Sequence, residues 1–424
     1  MNCPKHGSFS SIVAENADDY KRWMKYRSVT VPPRQAIMRG GVTADECPLH
    51  CGTCDNHQMT ACCVLLDVTE RCNQHCSYCF ARAGEDAAND PPLETIARWY
   101  DRLLELGEER TFNIQLSGGE PTVRDDLPAI IRLGRDKGFE YIQLNTNGKR
   151  LSEEDGYAQA LKAAGLSTVF LQFDGTDDAI HMALRNEPLL CVKRAAIEHC
   201  RKAGLPVTLV PTVVEGVNEY DIGNMVDFML SHLNVVKGIH FQPVSYFGRY
   251  PDGVRSDNRV TMFSVMRAIE EQTGGRIRGD DLVPISTGHQ LCCFCGNFLR
   301  ERDGQISSLM GDAQREEGID CCCATEPSPI EIIRKDRDFV LNKWNVDADM
   351  PPEDIDADND QPLSLDESLA YLRNNMFTIS GMAFMDAGNL DAERLKRCRV
   401  QVFSADERLI PFCAYNSVYR KSSR

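Results

Sequence analysis

Three cysteines stand close together in the stretch Arg71-Cys72-Asn73-Gln74-His75-Cys76-Ser77-Tyr78-Cys79-Phe80. Their spacing is C-x3-C-x2-C. An iron–sulfur cube bound by four thiolates has no coordination site left. Three thiolates leave one iron open, and an open position separates catalytic metal sites from structural ones. Such an iron can chelate a ligand that carries an amino group beside a carboxylate. The competing reading is a zinc knuckle or packing cysteines. The aromatic Tyr78 before the last cysteine, and the place of the motif after a strand and before a helix, weigh against it.

Further groups with chemical potential sit at the ends of apolar runs. Ser117-Gly118-Gly119-Glu120-Pro121 ends one run, Asn145 and Asn147 the next, and Gln172 and Asp174 the one after. Glycines let a backbone approach a ligand closely, and a carboxylate suits an ammonium. Asn-Gly and Asp-Gly pairs also serve as plain turn formers. Cys47, Cys51 and Cys54 repeat the C-x3-C-x2-C spacing upstream. They read as ligands of an auxiliary [4Fe-4S] cluster, with a fourth ligand from Cys62, Cys63 or a distant cysteine. Zinc is the alternative there, because His50 and His57 lie close by. A third group comprises Cys292, Cys293, Cys295, Cys321, Cys322, Cys323, Cys398 and Cys413. Adjacent cysteines cannot all point one way, so only some can be ligands. One further cluster is expected from Cys292, Cys295, Cys321 and Cys413, with Cys398 in place of Cys413 as the variant. Cys191 and Cys200 fall on a helix-like stretch and read as packing residues.

The elements that must position these groups form a repeating pattern. Strand-like runs occur at Val64–Val68, Phe112–Leu116, Tyr141–Leu144, Thr168–Phe173, Val207–Val213 and Gly238–Val244. Helix-like stretches at Leu93–Leu106, Leu127–Lys137, Glu153–Ala164, Leu190–Ala203 and Glu219–Leu233 fill the gaps. This alternation predicts an α/β fold with a parallel sheet. Apolar strand runs suit a sheet covered on both faces, and active sites in such sheets lie at the C-terminal strand ends. Three segments are expected: a cysteine-rich stretch 1–63, a βα core 64–250, and a second cysteine-rich region 251–424. Within the last, 346–366 reads as an acidic linker and 367–424 as a terminal segment that folds back. The 424 residues carry a net charge of −16, which speaks against nucleic-acid binding. Nineteen cysteines without a signal peptide or a membrane-spanning apolar run point to thiolates used as metal ligands in a reducing, cytoplasmic setting.

The Cys72–Cys76–Cys79 motif and the strand-end groups together resemble the radical S-adenosylmethionine (SAM) superfamily over roughly residues 64–245. The resemblance implies a partial (βα)6 barrel flanked by auxiliary-cluster extensions. It implies that Cys72, Cys76 and Cys79 hold a cluster that cleaves SAM to methionine and a 5′-deoxyadenosyl radical. It implies a SAM contact for the Gly-Gly-Glu segment, with Glu120 on the amino group. Tyr78, Ser117, Gly118, Gly119, Asn145, Asn147, Gln172 and Asp174 complete the expected cofactor wall. The order of NCPKHG, ADDYKRWMKYR, CPLHCGTC, LSGGEPTVRDDLP and RCRVQVFSADERLIPFCAYN narrows this. It is similar to archaeal tetraether lipid synthases and to relatives assigned as dihydropterin methyltransferases that draw the methyl carbon from a folate-like carrier. That resemblance implies C–C bond formation, one catalytic and two auxiliary [4Fe-4S] clusters, and a reductase or ferredoxin-type electron donor. Coupling of lipid tails is the first expectation, with transient contact at a membrane surface; methylation of a pterin and peptide modification are the alternatives. Phe377, Ile379, Met382, Phe384 and Met385 are the candidate walls of a lipid tunnel, with ordinary core as their competing role. No basic amphipathic helix stands out for membrane docking. The tetraether synthases open with two C-x2-C pairs around a single iron, whereas here Cys3 stands alone at the start.

Overall fold

The computed structural model describes residues 2–3, 7–8, 10–26, 28–33, 47–52, 54–84, 90–107, 112–253, 259–309 and 364–420. Cys321, Cys322, Cys323 and most of the expected acidic linker lie outside them.

The six expected strands form with small shifts at their ends: β1 (Cys63–Thr69), β2 (Asn113–Gly118), β3 (Ile142–Thr146), β4 (Thr168–Gln172), β5 (Val207–Val210) and β6 (Val236–Pro243). Neighbours pair in parallel throughout. Helices α1 (Ala17–Trp23), α2 (Leu93–Gly107), α3 (Leu127–Asp136), α4 (Lys149–Glu153), α5 (Tyr157–Ala163), α6 (Asp178–Arg185), α7 (Leu190–Lys202), α8 (Ile222–Leu230) and α9 (Met262–Gln272) accompany them. The stretch Glu153–Ala164, expected as one helix, is broken by Gly156 at φ +83°. α6 is an addition to the expected pattern: Asp177 caps it by accepting from the Ala179 N–H at 2.8 Å, and Ile180 and Leu184 bury its apolar stripe.

The sheet continues past residue 250. β7 (Cys293–Arg300) and β8 (Ile306–Ser308) lead, through α10 (Leu365–Asn375), to β9 (Met376–Met382); α11 (Ala392–Lys396), β10 (Val400–Phe403) and β11 (Leu409–Pro411) follow. The strand order is β8-β7-β9-β6-β5-β4-β3-β2-β1-β10-β11. β9 pairs in parallel with β6, and β10 pairs in parallel with β1, so one parallel strand is added at each edge of the six-stranded core.

The two faces of this curved sheet differ. Side chains alternate along a strand, and Val64, Leu66, Ile114, Leu116, Ile142, Leu144, Val169, Leu171, Val207 and Leu209 join the helices in one large core. The intervening positions of β2 to β6 and β9 are mostly polar: Gln115, Ser117, Gln143, Asn145, Gln172, Thr208, His240, Gln242, Thr378 and Ser380. They bond to one another, as in Gln143 to Gln115 and His240 to Ser380 at 2.9 Å. The side near β1 and β10 is apolar inside, where Leu65, Phe80, Phe247, Phe384, Val402 and Phe412 cluster. The proposed tunnel wall is divided between environments: Phe377 and Ile379 belong to the outer core, and Met385 packs with Cys51 and Cys413. These side chains therefore do not line one continuous channel, because alternation and chain reversal send them to separate faces.

Candidate active site

Cys72, Cys76 and Cys79 occupy the loop that leaves the C-terminal end of β1, where the sheet geometry places active sites. Backbone contacts fix the loop from two sides. Cys79 exchanges a pair of hydrogen bonds with Arg249, each 2.8 Å, and Arg249 Nε donates to the Cys76 carbonyl at 2.7 Å. Across the loop, Arg185 donates to the Tyr78 carbonyl at 2.6 Å, and the Ser77 N–H reaches the Leu184 carbonyl at 3.1 Å. Burial pushes the Cys72 thiol up to about 12, with Glu120 adding to the effect. Burial also raises Cys76, against the lowering influence of Arg185. Buried thiols of this kind become thiolates when a metal takes the place of the proton.

The Gly-Gly-Glu segment lies against this loop. Gly118 has φ +123°, and a Cβ there would stand 2.1 Å from the Thr69 carbonyl oxygen. A Cβ on Gly119 would stand 2.1 Å from the Arg71 carbonyl oxygen. The sequence suggested that these glycines admit a ligand; here they admit the backbone of the cysteine loop, sealed by Gly119 N–H to Thr69 O at 2.8 Å and Glu120 N–H to Arg71 O at 2.9 Å.

Glu120 is 2% exposed. Its Oε1 accepts from the Thr122 N–H (3.1 Å), the Thr122 hydroxyl (2.6 Å) and the Thr146 hydroxyl (2.7 Å), while Oε2 accepts from the Asn147 N–H (2.6 Å). One carboxylate thus ties the ends of β2 and β3 together, and Oε2 keeps room for one more donor. Asn147 is engaged with Asn73 of the cysteine loop at 2.8 Å. Asn145 differs: its Oδ1 is buried with no hydrogen-bond partner, as is the Thr208 hydroxyl on β5. Buried polar atoms of this sort call for a polar ligand.

Asp174 was expected to face the opening. Instead it is fully buried and forms a two-pronged ion pair with Arg185, at 2.7 Å on each side, while its Oδ1 also accepts from the Thr212 N–H at 3.0 Å. Gln172 bonds to Asp174 and to Lys193, the latter at 2.8 Å. Lys193 on α7 is fully buried; burial lowers it to about 8, with Asp174 opposing and Arg185 reinforcing that shift. Sequence reading missed Arg185 and Lys193, since charged residues on helices usually face water. Their only signal was position: Lys193 falls in the apolar register of α7, four residues before Ile197. Ser117 is buried at the end of β2 and Tyr78 half-buried on the cysteine loop.

Six of the remaining cysteines, Cys47, Cys51, Cys54, Cys292, Cys398 and Cys413, gather in two adjacent groups. Cys47, Cys51 and Cys54 line one pocket with His50, His57, Leu395 and Lys396. The Cys51 thiol hydrogen-bonds Cys47 and pulls it down to about 7, while Cys51 itself is pushed up. Cys292, Cys398 and Cys413 form an adjacent trio around Arg394, with Cys398 also close enough to influence Cys51. Cys295 shares instead the face of Cys293 and Cys62, because residues two apart on a strand point the same way. The expected partnership of Cys292 and Cys413 is present, with Cys398 rather than Cys295 beside them. His57 Nε2 is occupied by the Cys398 carbonyl at 2.9 Å and the Gln401 amide at 3.0 Å. Cys200 packs in the core and Cys191 is exposed. Cys3 lies in a two-residue strand, Asn2–Cys3, paired with Gly7–Ser8.

Comparison with known proteins gives the family. A family profile described as the radical SAM superfamily matches residues 66–229. The chain is 34% identical over 457 residues to a protein of Methanocaldococcus jannaschii named 7,8-dihydro-6-hydroxymethylpterin dimethyltransferase, covering 99% of this chain and 88% of that one. The chain belongs to the radical SAM superfamily. It is also 26% identical over 274 residues to the GTP 3′,8-cyclase of Erythrobacter litoralis, covering 59% of this chain and 79% of that one. Among solved structures, Streptococcus suis SuiB bound to S-adenosylmethionine matches with a TM-score of 0.41 and 14% identity, over 51% of this chain and 48% of that one. As a radical SAM enzyme, the chain has SAM and a [4Fe-4S] cluster as its family's cofactors. The three thiols at one strand end, the buried orphan oxygens of Asn145 and Thr208, and the glycine-backed loop fit that pair. No helix among the described residues is long and apolar enough to cross a membrane.

Proposed function

We propose that this radical SAM enzyme methylates a pterin-like heterocycle. The observation that carries the reading is the match to a dihydropterin dimethyltransferase across 99% of the chain. The polar inner wall supports it: Gln115, Gln143, Asn145, Gln172 and Gln242 offer amide edges suited to a flat, hydrogen-bonding ring, and the apolar patch of Leu65, Phe247 and Phe412 suits its face. Lipid-tail coupling, the first expectation from sequence, finds no support in the comparisons. An alkyl chain would also strip water from those amides without replacing their hydrogen bonds.

In this reading Cys72, Cys76 and Cys79 hold the cluster, which supplies one-electron cleavage of SAM when both are bound. Glu120, through Oε2, would hold the ammonium of SAM, and Asn145 Oδ1 would offer a second polar contact. Arg249 and Arg185 hold the cysteine loop in shape. The phenyl rings beside Phe80 keep water from the reacting region. Cys47, Cys51 and Cys54 would hold one auxiliary cluster, and Cys292, Cys398 and Cys413 would contribute to another, which would supply a path for electrons from a low-potential external donor. The three thiols that share one pocket, and the trio beside them, support this count.

The test is anaerobic turnover of reconstituted protein with 7,8-dihydro-6-hydroxymethylpterin, SAM, a reductant and a methylated folate-type carrier. Mass spectrometry should find the pterin with one or two added methyl groups, and isotopic labels in SAM or carrier identify the source. Release of 5′-deoxyadenosine with an unmodified pterin, together with coupling in a lipid extract, would overturn the proposal.

A further inference from the structure

Arg185 ends α6 with a buried charge, and holding the cysteine loop in shape does not by itself call for one. It is 6% exposed, and its partner Asp174 is 0% exposed. The carboxylate receives Nε and one terminal nitrogen of the guanidinium, and that same nitrogen also donates to the Thr212 hydroxyl at 3.0 Å. The other terminal nitrogen donates to the Tyr78 carbonyl. Four of the five N–H groups are thereby engaged, and the guanidinium charge is close enough to act on the Cys76 thiol. Asn186, in the left-handed region at φ 63°, extends the grip: its amide nitrogen donates to the His75 carbonyl at 2.8 Å, and its oxygen accepts from the Ser77 hydroxyl at 2.9 Å. The end of α6 therefore holds residues 75 to 78 of the cysteine loop.

An apolar pair would pack a strand end at lower cost than a buried ion pair. The position of this pair, against a thiol meant to bind iron, gives it a use. The potential of an iron–sulfur cluster depends on nearby charge and on hydrogen bonds to its sulfurs. We propose that Arg185, oriented by Asp174, is a positioning residue whose buried charge, held against residues 76 to 78, sets the reduction potential of the cluster on the Cys72–Cys76–Cys79 loop. This rests on the reading that those three cysteines hold the SAM-cleaving cluster.

The signs follow from charge. Reduction adds one electron to the cluster. Asp174→Asn leaves the Arg185 cation uncompensated, favours the reduced state and raises the potential. Arg185→Gln removes the cation while leaving Asp174, and lowers it. A loop that merely loosens would shift both variants the same way. The experiment is an electron paramagnetic resonance redox titration of full-length reconstituted protein, following the signal that changes when SAM is added. Opposite shifts in the two variants are expected; equal shifts, or none, overturn the inference. Where a single variant does not fold, Arg185→Lys and the neutral double variant Asp174→Asn/Arg185→Gln decide: the lysine variant must have the higher potential, and the reverse order or equality overturns the inference. The underlying reading is tested separately. A SAM-responsive signal that survives replacement of Cys72, Cys76 and Cys79 by Ala would refute the ligand assignment whatever the potentials are.

Discussion

Glu120 is where a structural and a functional role meet in one carboxylate, and two substitutions separate them. Glu120→Ala removes the acceptor of four hydrogen bonds at a site 2% exposed, leaving the Thr122 and Asn147 N–H groups and two hydroxyls without it. Bonds to a charged group each contribute about 1.5–3 kcal/mol, and they are not additive when they share one acceptor. A loss of about 3–5 kcal/mol is therefore expected, at the upper end for a single substitution. Glu120→Gln keeps Oε1 as acceptor for the Thr122 and Thr146 groups, and its NH2 opposes the Asn147 N–H, so roughly 1–3 kcal/mol is lost. The free lone pair of Oε2 is gone in both variants. If that lone pair receives the SAM ammonium, the glutamine variant should bind SAM about 10–100-fold more weakly, the equivalent of one charge-assisted hydrogen bond. The assays are thermal unfolding for the first effect and SAM titration of the reduced cluster signal for the second. A glutamine variant that keeps its cluster and binds SAM with unchanged affinity would refute the assignment. Glu120 would then be a strand tie alone.

Replacing Cys72, Cys76 and Cys79 together by Ala should abolish 5′-deoxyadenosine formation while iron bound elsewhere remains; retained SAM cleavage ends that assignment. Gly119→Ala places a Cβ 2.1 Å from the Arg71 carbonyl oxygen, so it should displace the cysteine loop and cut cluster occupancy, measured as iron and sulfide per chain; full occupancy would contradict it. Anaerobic iron analysis with Mössbauer spectroscopy should find about twelve cluster-type irons per chain, four per cluster; four irons with bound zinc would leave the outer cysteines as structural zinc ligands. Lys193 gives a pH signature. Its folded value, lowered to about 8 from 10.5, means that the cost of burying the ammonium is fully present below pH 8 and is relieved as pH rises toward 10.5. The stability of the wild type relative to Lys193→Met should rise by about 3 kcal/mol across that window in parallel urea titrations, and a flat difference would contradict the shift.

The strands were legible because their outward positions are apolar and their ends carry Gly, Asn and Asp. Ile114 and Leu116, or Ile142 and Leu144, mark a helix-covered face whatever lies opposite. Reading them as uniformly apolar runs overlooked the glutamines between them. Gln115, Gln143, Gln172 and Gln242 recur at inward positions and already speak against a lipid channel. The parallel edge strands β9 and β10 were not legible, since β10 is four residues long and its register on Cys63–Leu66 depends on contacts more than 300 residues apart in sequence. Spacing along the chain also left Cys398 and Cys413 as alternatives, where the fold sets both beside Cys292. α6 was masked by the turn-like Asp174-Gly175-Thr176-Asp177 before it, although Asp177 is a standard helix cap.

Charge balance explains why so many ionic groups are buried around one loop. Asp174 and Arg185 neutralise each other in direct contact, and Glu120 and Lys193 face the same strand ends with opposite signs. Isolated charges at such burial are strongly disfavoured, whereas compensated sets are tolerated. A loop so balanced can accept a further pair that is itself neutral. Three thiolates on an oxidised [4Fe-4S] core carry one net negative charge. SAM, with its sulfonium, ammonium and carboxylate, carries one net positive charge. Cluster and SAM together would thus leave the site balanced, while either alone would leave an uncompensated charge. The four protein charges then bear on one balance: altering any one of them should change SAM binding to the cluster more than retention of iron. Asp174→Asn and Lys193→Met meet SAM at different distances but change the balance in opposite directions. The lysine variant, one positive charge poorer, should retain SAM more tightly than the asparagine variant, and titration of the cluster signal with SAM orders the two. The reverse order would show that local contacts, rather than the summed charge, govern binding.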